Sequence, residues 1–315
     1  MPSYRLKTKL VAAFWRAGLT FYHLTPICIT EYEEELMLIA KVNGERCHAT
    51  KGAKGICPFC GKEVIAKCGE QKVAHWAHKS KKECDSWHDK ETDWHLMWKN
   101  YFPIEWQEII KHDEKTGEKH IADVCTPLQF TLEFQHSHIK PEERRSREDF
   151  YKNMNWVVDG TRLQNDFKRF SKKIKGSTDI RIIAPIHTAD HKFHVGNILE
   201  ISFAEEAFPK DWMDSTVPVV FDFLGMNDIS DKNDIRQCVF CLLPMKTSGY
   251  GRFGIQILKS VFIEHAKTGV WEDFVKKTEL GLQNMMKQQE QANKMAFYNS
   301  IPSRRYYHRR RNWWL

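Results

Sequence analysis

The stretch from His120 to Gln135 constrains this chain most. It runs His-Ile-Ala-Asp-Val, breaks at Thr126-Pro127, and resumes as Phe-Thr-Leu-Glu-Phe-Gln, with β-branched and aromatic residues on both sides of the break. That pattern predicts two short strands joined by a turn. Side chains two apart on a strand share a face, so Glu133 and Gln135 point one way, Leu132 and Phe134 the other. If the two strands pair antiparallel, Asp123 reaches the face of Glu133. An Asp and a Glu from neighbouring strands make a hard-oxygen site for a magnesium-class cation, the metal half of a phosphodiester hydrolase.

Cys57-Pro-Phe-Cys60-Gly is a zinc-knuckle signal. Two residues between the thiolates let both sulfurs reach one ion, and the glycine permits the tight turn. The knuckle needs two further ligands from His75, His78 and Cys84, which lie beyond a hairpin turning at Gly69-Glu70-Gln71. A regular strand over His75 to His78 turns the imidazoles to opposite faces and leaves one of them to join Cys84. A turn after Trp76 would admit both. Four protein ligands leave no open position for substrate, so the expected role is structural.

The chain has 315 residues, 42% of them hydrophobic, enough for a sizeable core in one large domain or two. Lys and Arg number 48 against 41 acids. Five of those cations, Arg304, Arg305, Arg309, Arg310 and Arg311, fall in a tail without acids, so the body is nearly balanced. The tail interleaves them with Tyr306, Tyr307, Trp313 and Trp314, a composition suited to phosphates and stacked bases, or else to a dangling tail or an oligomer contact. Nine cysteines without a dense framework suggest reduced thiols and metal, hence a cytoplasmic setting. No apolar run approaches the ~20 residues of a membrane span, and the run Leu10 to Trp15 is too short for a signal peptide. Cys238-Val-Phe-Cys241 has ligand spacing but sits in an apolar strand with no second pair nearby, and it reads as core.

Between these landmarks the pattern alternates. Asn43-Gly44 marks a hairpin. Trp87 to Trp98 has helical spacing, and Glu91 and His95, four apart, share a face that either joins the metal site or is an exposed acid beside a core-edge histidine. Phe102 to Lys111 reads as a strand, Glu142 to Asn153 as a helix opened by Pro141, and Trp156 to Asp159 as the closing strand. The succession is helix, three strands, helix, strand. On the second helix Arg144, Arg147 and Tyr151 form a stripe that could hold a phosphate, or a solvated face paired with neighbouring acids. Beyond Gly160, strands at Ile180 to Ile186, Val195 to Phe203, Val217 to Leu224 and Gln237 to Leu243, with a helix over Trp271 to Met295, suggest a second α+β domain.

Asp123, Glu133-Phe134-Gln135 followed by Ser137 and Ile139, then Arg144, Arg147, Tyr151 and Trp156-Val-Val-Asp159 resemble the nuclease domain of the competence protein CoiA family. The Cys-x-x-Cys and His-Trp-Ala-His stretches upstream match as well, and the resemblance covers Gly44 to Arg162. It implies a PD-(D/E)XK, restriction-endonuclease-like core of α+β or α/β class, preceded by a zinc ribbon and followed by the α+β domain. The boundaries are then 1–85, 86–165, 166–302 and the tail 303–315. It also implies a DNA nuclease with catalytic Mg²⁺ or Mn²⁺ and structural Zn²⁺, acting in DNA uptake, recombination or defence with partners from those pathways. RNA as a substrate is left open by the sequence. Asp123, Glu133 and the Phe134 carbonyl would hold the ion, with Glu91 or His95 joining them. Gln135, where a lysine usually sits, would orient water. The alternative is the same fold kept as an inactive DNA- or protein-binding module.

Overall fold

The computed structural model describes residues 37–70, 73–79, 84–85, 87, 91–176, 178–247 and 251–300. The tail arginines 304, 305, 309, 310 and 311 lie outside the described residues, as does the apolar stretch before residue 37.

The first sheet is small. Its strands β1 (Ile39–Val42), β2 (Glu45–His48), β3 (Lys54–Ile56), β4 (Glu63–Lys67) and β5 (His75–His78) lie in the order β2-β1-β3-β4-β5. The hairpin expected at Asn43-Gly44 is there, with φ of 53° and 90° at the two turn residues. Positive φ at both central positions is what a two-residue turn needs to match strand twist, and Gly44 adopts it without a Cβ penalty.

The second sheet carries the rest. After α1 (Asp93–Lys99) and a 3-10 turn at Ile104–Trp106 come β6 (Gln107–His112), β7 (Lys119–Cys125), β8 (Thr131–Gln135), α2 (Pro141–Tyr151) and β9 (Met154–Asp159). The strand expected from Phe102 therefore starts five residues later, at Gln107, because the turn occupies its first part. α3 (Gln164–Gly176) follows, then β10 (Ile180–His187), β11 (His194–Ser202), β12 (Val219–Asp222), β13 (Cys238–Lys246), β14 (Gly251–Leu258), α4 (Lys259–Thr268) and α5 (Val270–Ser300). All nine strands from β6 onward form one sheet in the order β10-β11-β14-β13-β12-β9-β8-β7-β6.

The strands between Ile180 and Leu258, expected to belong to a separate domain at 166–302, instead extend this sheet. β12 pairs parallel with β9 from Val219↔Trp156 to Asp222↔Asp159, and β8 pairs parallel with β9 on its other side. Three central strands thus run the same way and are covered on both faces, as parallel strands require. Val157 and Val220 face a layer with Trp94, Trp98, Phe134, Phe262 and Trp271. Trp156, Val158 and Phe221 face another with Phe170, Phe208 and Phe240. Full burial of such side chains stabilises by roughly 1.5–3 kcal/mol each, enough to fuse the two halves around shared layers.

The small sheet docks on the large one through polar contacts. The Glu108 carboxylate accepts the Leu38 and Ile39 N–H groups at 3.1 and 3.0 Å. Arg46 donates to the Gln107 carbonyl, and Lys119 Nζ to the Phe59 carbonyl at 2.6 Å. Glu108 sits at φ 47°, a left-handed conformation rare outside Gly, Asn and Asp. This twist turns its side chain inward from an edge strand.

Candidate functional site

The thiolate centre assembles as the spacing predicts. Cys57, Cys60, His78 and Cys84 bring one ligand atom each to within 4.8 Å of one another. Cys60 Sγ lies 3.2 Å from His78 Nε2, and Cys57 Sγ 3.9 Å from Cys84 Sγ. The Cys84 sulfur, together with the Cys60 and Phe59 N–H groups, outweighs burial and draws the Cys57 thiol down to about 5. A thiol so lowered is a thiolate at neutral pH, the form that binds metal. Because His75 to His78 is a regular strand, His75 faces away. Its Nδ1 lies 2.7 Å from the Val73 carbonyl, and it is not a ligand. Three sulfurs and one imidazole with this spacing suit Zn²⁺. Protein purified without added metal should contain about one zinc per chain by elemental analysis. A folded, zinc-free protein would refute the assignment. Cys238 and Cys241 are buried in β13 as core residues, and burial pushes the Cys241 thiol out of reach of ionisation.

A second cluster forms where β7 and β8 part. The ladder between them holds at Cys125↔Thr131 and Val124↔Leu132 and then stops. In its place the Phe134 N–H donates to Asp123 Oδ2 at 2.9 Å, and the Asp123 N–H to Glu133 Oε1 at 3.2 Å. The two acids expected to share a face thus meet by wedging the strands apart. They line a cavity of about 20 Å³ with Glu91, His95, Lys99, Glu108, Trp87 and Arg147. That is room for one water or one ion. The Asp123 side chain keeps 23% of its surface open, which gives the cavity a mouth.

Lys99 organises this pocket, and it was not anticipated. It is 1% exposed, and its Nζ lies 3.0 Å from Glu91, 3.1 Å from Asp123 and 3.4 Å from Glu108. Burial alone would lower its pKa, but the three carboxylates outweigh that and raise it well above the ordinary lysine value. Burial pushes the Glu91 carboxyl up to about 7, with Asp123 and Glu108 adding to the rise and Lys99 opposing it. For Asp123 burial is outweighed by Lys99, His95 and the Phe134 N–H, so its carboxyl is held below the usual value. A sequence signal did exist. His95 and Lys99, four apart on α1, share one face, whereas Glu91 precedes the N-cap Thr92 and meets Lys99 from outside the helix, not from the helical face expected of it.

His95 does join the site. Thr92 and His95 close a capping box at the start of α1, with the Thr92 N–H and hydroxyl at 3.3 and 2.8 Å from His95 Nδ1. Its Nε2 lies 2.8 Å from the Phe134 carbonyl. A carbonyl only accepts, so Nε2 carries the proton and Nδ1 accepts. The carbonyl expected to hold a metal is therefore already engaged by His95. Gln135 is buried but does not line the cavity: its Nε2 donates to Ser137 Oγ at 3.0 Å.

The stripe on α2 faces inward. Arg144, 1% exposed, donates to the Asp211 carbonyl and pairs with Glu148 at 3.4 Å. Tyr151 is buried, with its hydroxyl enclosed. Neither presents a charge or a hydroxyl to a phosphate at the surface. Arg147 alone of the three reaches the pocket, 3.3 Å from Glu133 Oε2, and it also donates to Glu143 and to the Trp87 carbonyl.

The two clusters are joined by a short bridge. Next to Cys84, the Asp85 carboxylate accepts the Ile121 N–H at 2.7 Å and lies 2.9 Å from His120 Nδ1. The Trp87 ring stacks on His120 with centroids 3.2 Å apart.

These features define a mixed α+β protein with a Cys₃His centre beside a buried acid pocket. Residues 40–86 match the family model described as competence protein CoiA, N-terminal domain, and the protein is CoiA-like. A domain of that kind points to a competence-related role. No curated protein and no solved structure matches the chain. No helix among the described residues is long and apolar enough to cross a membrane.

Whether the acid pocket suits a divalent cation turns on its charge and donors. Its lining offers four carboxylates against Lys99 and Arg147, a deficit of two positive charges when Glu91 is ionised. Glu91 Oε1 is buried without a hydrogen-bond partner. Among the described residues the cluster of three or more ligand atoms within 4.8 Å is the Cys₃His centre, and the acid pocket brings its carboxylates and one orphaned carboxylate oxygen together more loosely.

Proposed function

We propose that this protein is a metal-dependent nuclease of PD-(D/E)XK type that hydrolyses phosphodiester bonds in DNA, in uptake, recombination or defence. The observation that carries it is the meeting of Asp123 and Glu133 at the parted strands, with Lys99 among the acids beside them. The succession α1, β6, β7, β8, α2, β9 supports this reading.

Asp123, Glu133 and Glu91 would hold the cation. The ion, when bound, supplies Lewis-acid activation of the phosphodiester and of a water molecule. Lys99 keeps Asp123 ionised, and its fixed ammonium at the pocket wall would stabilise negative charge building on a phosphate oxygen at the Asp123 mouth. Arg147 holds Glu133 in place, and His95 fixes the Phe134 carbonyl.

A second reading is a DNA- or protein-binding module without chemistry. It is favoured by the internal partners that Asp123 and Glu133 already have in Lys99 and Arg147. Labelled single- and double-stranded DNA and RNA, incubated with and without Mn²⁺, separate the two. Mn²⁺-dependent cleavage of DNA supports the nuclease, whereas binding without cleavage in any metal supports the module.

A further inference from the structure

The three parallel strands β8, β9 and β12 end side by side, and their carboxyl ends open onto a crevice of about 400 Å³. It is distinct from the acid pocket and lies next to it: the rings of His95 and His136 are 6.2 Å apart. Open sheets bind ligands outside the carboxyl ends of their parallel strands, and this volume is in the range of small-molecule sites. The lining includes Asp93, His136, Asp159, Thr161, Met226 and Asn227.

His136 Nδ1 lies 2.7 Å from Oδ2 of Asp159, whose other oxygen takes the Thr161 N–H and hydroxyl at 2.8 and 2.6 Å. Asp159 is 5% exposed, while the His136 side chain keeps 34% of its surface open. The carboxylate accepts from Nδ1–H, so in the neutral ring Nε2 is the acceptor that faces the crevice. Asn227 donates its Nδ2 to the Leu224 carbonyl at 2.7 Å, so its Oδ1 is left to accept. With the Asp93 carboxylate the crevice presents three acceptors, and among the described residues that line it none is Lys or Arg. Such a lining disfavours phosphate. It favours a flat ligand that donates N–H groups and covers the exposed Met226.

We infer that this crevice takes one unstacked, amino-bearing nucleobase (adenine, cytosine or guanine) of the strand whose backbone lies at the acid pocket, with His136 as a specificity residue. The inference rests on the nuclease proposal for the presence of a strand, and its test does not need cleavage. Without metal, the His136 ring resonances, assigned by their loss in His136→Gln, are followed by NMR during titration with cytidine, thymidine and inorganic phosphate. Cytidine should shift them saturably, thymidine more weakly, and phosphate not at all. Equal responses to the two nucleosides, a response to phosphate alone, or no response would each overturn the inference. In a parallel binding assay in Ca²⁺, one abasic position in a cytosine-bearing oligonucleotide should weaken binding to the wild type roughly three- to tenfold, the scale of one or two hydrogen bonds. The loss should vanish in His136→Ala. A full loss persisting in His136→Ala places the base elsewhere. A protein that passes these tests yet never cuts DNA in Mn²⁺ fails only as a nuclease.

Discussion

Lys99→Met should destabilise the protein by about 3–5 kcal/mol, the cost typical of removing one partner from a buried ion cluster. The substitution keeps the length and apolar character of the stem and removes only the ammonium. Glu91, Glu108 and Asp123 then face one another in a pocket where Lys99 is 1% exposed. For a chain of this size the melting temperature should fall by roughly 10 °C. If the acids form a cation site, Mn²⁺ should restore much of that loss, because an ion that binds only the folded state stabilises it by mass action. Wild type, with its own cation in place, should gain less. Thermal melts of both proteins in EDTA and in Mn²⁺ give the answer. An unchanged melting temperature contradicts the buried cluster, and a fall that no divalent cation reverses contradicts the cation site.

Much of this site was legible because strand periodicity is strict. Asp123 and Glu133 meet as the alternation on either side of the Thr126-Pro127 turn requires, and strand geometry limited the zinc site to one of His75 and His78 without saying which, His78 being the one the structure supplies. The α2 stripe failed for a different reason. Spacing of three and four puts Arg144, Arg147 and Tyr151 on one face but carries no sign for which way that face points. Glu133 and Glu148, far away or on the same helix, supply the buried partners that turn it inward. Lys99 was missed because a lysine at the end of a short helix ordinarily faces water. Its burial is made tenable by three carboxylates that converge from separate segments, Glu91 before the helix, Asp123 on β7 and Glu108 on the edge strand β6. The single large sheet was hidden too, since the pairing of β9 with β12 joins residues some sixty apart in sequence and leaves no local trace. β14 escaped notice because glycines at 251 and 254 interrupt its apolar run.

The central claim is that Asp123 and Glu133 form the working centre of a nuclease. Glu133→Gln tests it most directly, since it keeps the side chain's size and removes the charge that would hold the ion while Arg147 stays in place. The measurement is the initial rate of cleavage of one labelled DNA in Mn²⁺ for wild type and Glu133→Gln, prepared identically and shown by melting to be folded. Loss of a metal-binding carboxylate should lower the rate by orders of magnitude while binding of the same DNA in Ca²⁺ persists. Equal rates of cleavage by the two proteins would contradict the account.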